Sequence, residues 1–153
     1  MKRTYRDGQY TVVRKSNWLL HVTIEGPLGE RAGNGFLLWL SNLPALYTET
    51  QYVLLDVGNI GPVAENLLDQ FVKTVEENDI GALAVLGGQN ARVNMAPLIE
   101  KSEQSEKTAY FTDMPSAHRF PQQLYNNSQT LPIEAISEET LSEKQSESSP
   151  PRS

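Results

Sequence analysis

The strongest constraint on the fold lies mid-chain, where two short apolar runs flank one amphipathic stripe. Residues 51–57 (QYVLLDV) and 80–86 (IGALAVL) are nearly continuous apolar segments of strand length, as in strands covered on both faces. Between them Ala64, Leu67, Leu68, Phe71, Val72 and Val75 recur at spacings of three and four, marking one buried side of a helix that runs to about Asn78. Strand, helix and second buried strand in that order make a parallel crossover, which calls for an α/β sheet.

The flanking segments extend the alternation. Residues 9–14 (QYTVVR) and 18–24 (WLLHVTI) are rich in β-branched and aromatic residues, and Lys15-Ser16-Asn17 between them suits a hairpin loop. Trp18, Leu20, Val22 and Ile24 are predicted on one face, with His21, Thr23 and Glu25 on the other. Gly26-Pro27 is read as the end of that strand. Ala32, Phe36, Trp39, Leu40 and Leu43 then follow helical spacing, with Gly33 and Gly35 weakening the first turns and Pro44 ending them. Gly58-Asn59-Ile60-Gly61 reads as a loop, with Pro62 at a first helical position. After residue 86, Gly87-Gly88-Gln89 turns into a helix with Asn90 as N-cap and Ala91, Met95, Leu98 and Ile99 facing inward. Residues 107–112 (KTAYFT) form a further strand, and a short helix opens at Asp113 and stops at Pro121. The predicted order is β-β-α-β-α-β-α-β-α.

Charge divides the chain of 153 residues unevenly. Residues 1–125 hold 14 acidic and 11 basic side chains, whereas residues 126–153 hold five Glu against Lys144 and Arg152, so each part carries −3 of the total −6. Residues 142–153 contain no apolar side chain and cannot offset their ordering entropy, so an acidic Ser/Glu/Pro-rich tail from residue 126 is expected to be largely disordered. Leu131, Ile133, Ile136 and Leu141 leave a short helix or an interaction segment open within it. The acidic excess argues against nucleic acid as a partner. Zero cysteines exclude disulfides, thiolate catalysis, zinc–thiolate sites and iron–sulfur clusters. No apolar run of signal-peptide length follows residues 1–8 and none nears the ~20 residues of a membrane span, which reads as a soluble cytoplasmic chain.

With this element order the chain resembles the STAS superfamily, in its divergent SpoIIAA-like or STAS/SEC14-type branch. Three stretches carry the likeness. They are Val22-Thr23-Ile24-Glu25-Gly26-Pro27-Leu28, then Tyr52-Val53-Leu54-Leu55-Asp56-Val57-Gly58-Asn59-Ile60, and Thr108-Ala109-Tyr110-Phe111-Thr112-Asp113 followed by Ala117. The resemblance spans roughly residues 18–125. It implies a mixed α/β sheet with an N-terminal antiparallel hairpin, helices packed on it and the acidic tail outside it. It also implies a bacterial signalling role, with a kinase or anti-sigma-type regulator as protein partner. Regulatory STAS proteins carry a phosphorylatable Ser or Thr after the strand that here ends near Asp56. The segment from Asp56 through Val63 has no hydroxyl, so phosphorylation there cannot be the switch.

Candidate chemistry is sparse. Asp56, Gly58, Asn59, Ile60, Gly61 and Pro62 form the expected partner-binding segment, with Asp56 either holding a ligand or satisfying loop N–H groups. Gly87, Gly88, Asn90 and Arg92 make a weaker candidate for an anion, since a glycine turn opening a helix offers free N–H groups, though a positive-φ turn explains the glycines equally. His21 and His118 lie far apart in sequence without a partner motif, no Gly-x-Ser-x-Gly elbow occurs, and no metal or other cofactor is expected. Glu76, Glu77 and Asp79 read as a solvated patch able to help choose a partner. Lys2, Arg3, Arg6, Arg14 and Lys15 form one basic cluster, facing an acidic lipid, a protein or the tail, or simply guarding an edge strand. The expected function is a non-catalytic regulatory or protein-interaction domain. The alternative is a small-molecule or lipid-binding domain with an apolar cavity lined by Leu40, Leu43, Leu67 and Phe71.

Overall fold

A computed structural model describes residues 1–137, with side chains through residue 129. The expected tail beyond residue 137 lies outside the described residues. Contacts divide the chain into two compact units, Met1–Pro121 and Gln122–Ser153.

The first unit is built on six strands in the order β1-β2-β3-β4-β5-β6. β1 (Lys2–Tyr5), β2 (Gly8–Arg14) and β3 (Leu19–Leu28) form an antiparallel meander; β4 (Gln51–Val63), β5 (Ile80–Leu86) and β6 (Thr108–Phe111) follow β3 in parallel. The mixed sheet with an antiparallel opening is thus present. β1 was not foreseen, because its residues KRTY carry charge rather than apolar alternation.

Parallel strands in sequential order need crossovers of one hand, which put the connecting helices on one face. α1 (Glu30–Ser41), the short α2 (Leu43–Leu46), α3 (Leu67–Glu77) and α4 (Arg92–Ser102) make these connections, and α3 packs against both α1 and α4. Between them and the sheet lies one core in which Leu20, Val22, Ile24, Val53, Leu55, Leu83 and Val85 meet Phe36, Leu40, Phe71 and Met95. Phe36 and Phe71 are fully buried with ring centroids 5.0 Å apart. Each such ring contributes roughly 1.5–3 kcal/mol by leaving water. Trp18 departs from its predicted face: it precedes β3 and meets Tyr52 edge-on at 5.5 Å, outside this core.

The opposite sheet face has its own cover. Leu54, Ala84 and Ala117 are fully buried yet lie outside the main core. Tyr110 packs toward that core, so its neighbour Phe111 points to the other face, where it meets Phe120 at 5.5 Å. Phe120 belongs to α5 (Met114–Ser137).

Three boundaries differ from expectation. β3 does not break at Gly26-Pro27, and β4 does not end at Val57. The two strands stay paired through Glu25↔Asn59, Gly26↔Ile60 and Leu28↔Val63. Gly26 takes φ +75°, a bulge conformation that L side chains resist, and so carries the strand past the proline. Pro27 and Pro62 both fall in the register gap between the pairs Gly26↔Ile60 and Leu28↔Val63, where neither has to supply a ladder N–H. Pro62 is therefore a strand residue, and the helix begins five residues later at Leu67. Asn90 is not the N-cap of α4; Ala91 holds that place. Pro121 does not stop α5, which continues to Ser137 with the Pro121 ring buried.

In the second unit the Gln122 amide donates to Asn126 Oδ1 at 3.0 Å, and the Ser128 hydroxyl to the Tyr125 carbonyl at 2.8 Å.

Candidate functional site

The expected partner-binding residues all lie on β4, from Asp56 at its middle to Pro62 near its end. Asp56 is half-buried, and its Oδ1 accepts the Gly58 N–H at 2.9 Å. That bond belongs to the structural role of an Asx residue, bending the strand at the register shift beside Thr23↔Asp56. Gly58, Asn59 and Pro62 are exposed, Gly61 is half-buried, and Ile60 turns inward to join the core at 8% exposure. The hydroxyl-free segment is thus a rim of paired strand rather than a free loop.

The expected anion-binding residues lie next to this rim, since Asp56 pairs with Leu86 at the end of β5. Gly87 is buried and its N–H donates to the Phe111 carbonyl at 3.0 Å. Gly88 adopts φ +67°, and its carbonyl accepts the Tyr110 hydroxyl at 2.8 Å. Asn90 is exposed, the Arg92 N–H donates to the Gln89 carbonyl at 3.2 Å, and the Arg92 guanidinium lies over the Tyr110 ring at 5.6 Å. Two of the N–H groups that a bound anion would use are therefore engaged within the protein. Tyr110 organises the turn, with its hydroxyl on Gly88 and its ring under Arg92. The desolvated Tyr110 phenol holds its proton above the usual tyrosine value, with Arg92 acting in the opposite direction.

Two residues that sequence reasoning passed over complete the surface. The Asn94 side chain donates to the Ile60 carbonyl at 3.4 Å, tying α4 to the β4 rim. Its neighbour Val93 is 82% exposed, more than any other large apolar side chain among the described residues. Val93 lies off the inward stripe of Met95 and Leu98, a displacement visible in the sequence once α4 is known to start at Arg92.

His21 and Asp56 project from neighbouring parallel strands, on the face opposite Val22 and Leu55, and His118 is close enough to act on His21 electrostatically. Burial pushes the His21 imidazole below its ordinary proton affinity; the Asp56 carboxylate raises it, and Lys15 and His118 lower it further. The Nε2 of His21 is buried without a hydrogen-bond partner. Among the described residues no three His, Asp or Glu side chains are grouped to hold a metal ion.

Of the acidic residues at the end of α3 and just after it, Glu76 and Asp79 are engaged. Glu76 accepts the Ser105 hydroxyl and Asp79 that of Thr50 at 3.4 Å. A polar cleft of about 360 Å³ between α3 and α4 is lined by Asp69, Lys73, Glu76, Glu77, Lys101 and Ser105 among others. Leu40, Leu43, Leu67 and Phe71, expected to line an apolar cavity, are each 0–4% exposed and packed into the core. No described helix is long and apolar enough to cross a membrane.

No family model matches the chain, and no curated protein matches it. Among solved structures the chain is similar to an uncharacterised protein of the DUF3478 family with a SpoIIAA-like fold, from Shewanella loihica PV-4. The two share 14% identity at a TM-score of 0.50, over 78% of this chain and 98% of the other. At that identity the likeness speaks for architecture, in keeping with the antiparallel opening and parallel crossovers described above. The chain has a SpoIIAA-like fold.

Proposed function

We propose that this chain is a non-catalytic, STAS-like regulatory domain that docks a protein partner on the rim formed by β4 and the first turn of α4. One observation carries the reading. The apolar Val93 stands in solvent beside a rim held rigid by strand pairing and by the Asn94 bond to Ile60. A firmly placed apolar side chain on a helix bonded to the strand that exposes Asn59 and Pro62 has the make-up of a small protein-docking patch. With no hydroxyl between Asp56 and Val63, partner choice there rests on shape and side-chain chemistry rather than phosphorylation. A kinase or an anti-sigma-type regulator is the partner class that the fold suggests.

Two-hybrid measurement against such regulators from the same genome tests the rim, comparing wild type with Asn59→Lys and Val93→Asp. Both changes are on exposed side chains and should leave the fold intact while abolishing the signal. A partner captured equally well by all three proteins would remove the rim from consideration.

A further inference from the structure

We propose that the free edge of β1 docks an extended acidic peptide of a partner protein, which adds a seventh strand to the sheet. The strand order ends at β1, so among the described residues one side of Lys2–Tyr5 has no neighbouring strand. The register tells which backbone groups face outward. Met1 and Val12 exchange two bonds, from the Val12 N–H to the Met1 carbonyl at 2.7 Å and from the Met1 amino group to the Val12 carbonyl at 2.9 Å. Bonded and non-bonded pairs alternate along an antiparallel ladder. Arg3 and Tyr5 therefore bond inward to Tyr10 and Gly8, while Lys2 and Thr4, opposite Thr11 and Gln9, present N–H and C=O outward. An incoming strand meets two donors and two acceptors already in register.

The side chains around this edge select the chemistry of that strand. Lys2, Arg3 and Arg6 are exposed, and none of them is ion-paired among the described residues. Asp7, the one carboxylate in the hairpin, is turned away to accept the N–H groups of Arg31 and Ala32 at 2.8 and 2.9 Å. Lys2 and Arg3 stand on opposite faces of the sheet. A bilayer surface or a row of phosphates would reach one face at a time. A strand laid along the edge alternates its own side chains, so acidic residues on both its sides meet both cations. Pairing of two copies through β1 would bring these same cations against each other, which disfavours it. The charges that guard the edge against its own kind thus leave it open to an acidic strand.

The site shares no residue with the β4 rim, so its test is independent of the proposal above. A short fluorescent peptide repeating Glu-Glu-Val-Val, which places Glu on both faces of an extended strand, serves as probe for the full chain. Anisotropy should show saturable binding that weakens as salt rises. Thr4→Pro, which removes an outward N–H and no inward one, should weaken binding roughly three- to tenfold, and Arg3→Glu should weaken it further. In wild type, the Lys2 and Thr4 amide protons should gain exchange protection on saturation, while those of Arg3 and Tyr5 stay as they were. Absence of saturable binding overturns the proposal, as does unchanged protection at Lys2 and Thr4. So does equal affinity for a folded Thr4→Pro variant, or for duplex DNA or anionic vesicles. Should Thr4→Pro fail to fold, the exchange measurement decides.

Discussion

Gly33 of α1 lies directly against Leu67 of α3, so close that a Cβ on Gly33 would overlap the Leu67 Cδ2 methyl. The contact is where the two helices approach over the core. In isolation a helical glycine is unfavourable, and Gly33→Ala should gain up to about 1 kcal/mol of helix propensity. The overlap reverses the sign. Forcing a methyl into a packed contact costs about 1–3 kcal/mol, so Gly33→Ala is expected to lower the urea midpoint. Adding Leu67→Ala should make Gly33→Ala less harmful than it is alone. A stabilised Gly33→Ala protein would show that α1 and α3 do not meet here.

Asp7 caps a helix to which it does not belong. Its two carboxylate oxygens accept from Arg31 and Ala32 in the first turn of α1, whose own N-cap residue, Gly29, has no side chain for the task. Cap removal typically costs about 0.5–2 kcal/mol. Asp7→Ala should therefore lower stability by that amount in denaturant unfolding, and Asp7→Asn, which keeps one acceptor, should lose less. Equal stability of all three proteins would mean that the cap contributes nothing.

This cap also marks the limit of sequence reasoning. The crossovers were legible because β4, α3 and β5 each announce themselves by local apolar period, and the buried face of β3 followed from alternation at Leu20, Val22 and Ile24. What failed was punctuation. Pro27 and Pro62 are breakers in isolation, and they are tolerated because they share one register gap across two strands that pair over 34 positions of sequence. The charged β1 is a strand because β2 offers it a ladder, not because of its own residues. The segment from Gly58 to Pro62 was read as a loop and is paired strand. Its neighbour Val93 went unnoticed because a lone apolar residue off a helical stripe has no local signal.

Asn66, the N-cap position of α3, sits at φ +67°, and no other non-glycine described residue has positive φ. Left-handed backbone costs most L residues about 1–2 kcal/mol, and Asn bears it better than most. Asn66→Ala should destabilise by about 1 kcal/mol. Asn66→Gly should stay close to wild type, because its relief of strain is offset by greater freedom in the unfolded chain. Calorimetric melting of both variants checks the order; an alanine variant as stable as the glycine one would refute the left-handed turn.

His21 gives the fold a pH dependence whose sign is fixed by its surroundings. Its proton affinity in the folded chain lies below the ordinary value of 6.5, chiefly through burial, with Lys15 and His118 adding to the effect and Asp56 opposing it. The unfolded chain takes up the proton near that ordinary value. Between the two values the unfolded state holds more protons, so stability falls as pH drops from about 6.5 toward the lower folded value and is flat above that window. His21→Gln removes the titration while leaving a polar side chain in place. Urea unfolding at closely spaced pH should show wild type losing stability faster than His21→Gln on acidification below 6.5, with parallel behaviour above it. The carboxylates titrate in both proteins, so the difference between the two curves isolates the imidazole. Parallel curves through the acid range would mean that His21 protonates as easily in the folded chain as in the unfolded one. A wild type that gains on the variant as pH falls would mean that the Asp56 charge outweighs burial.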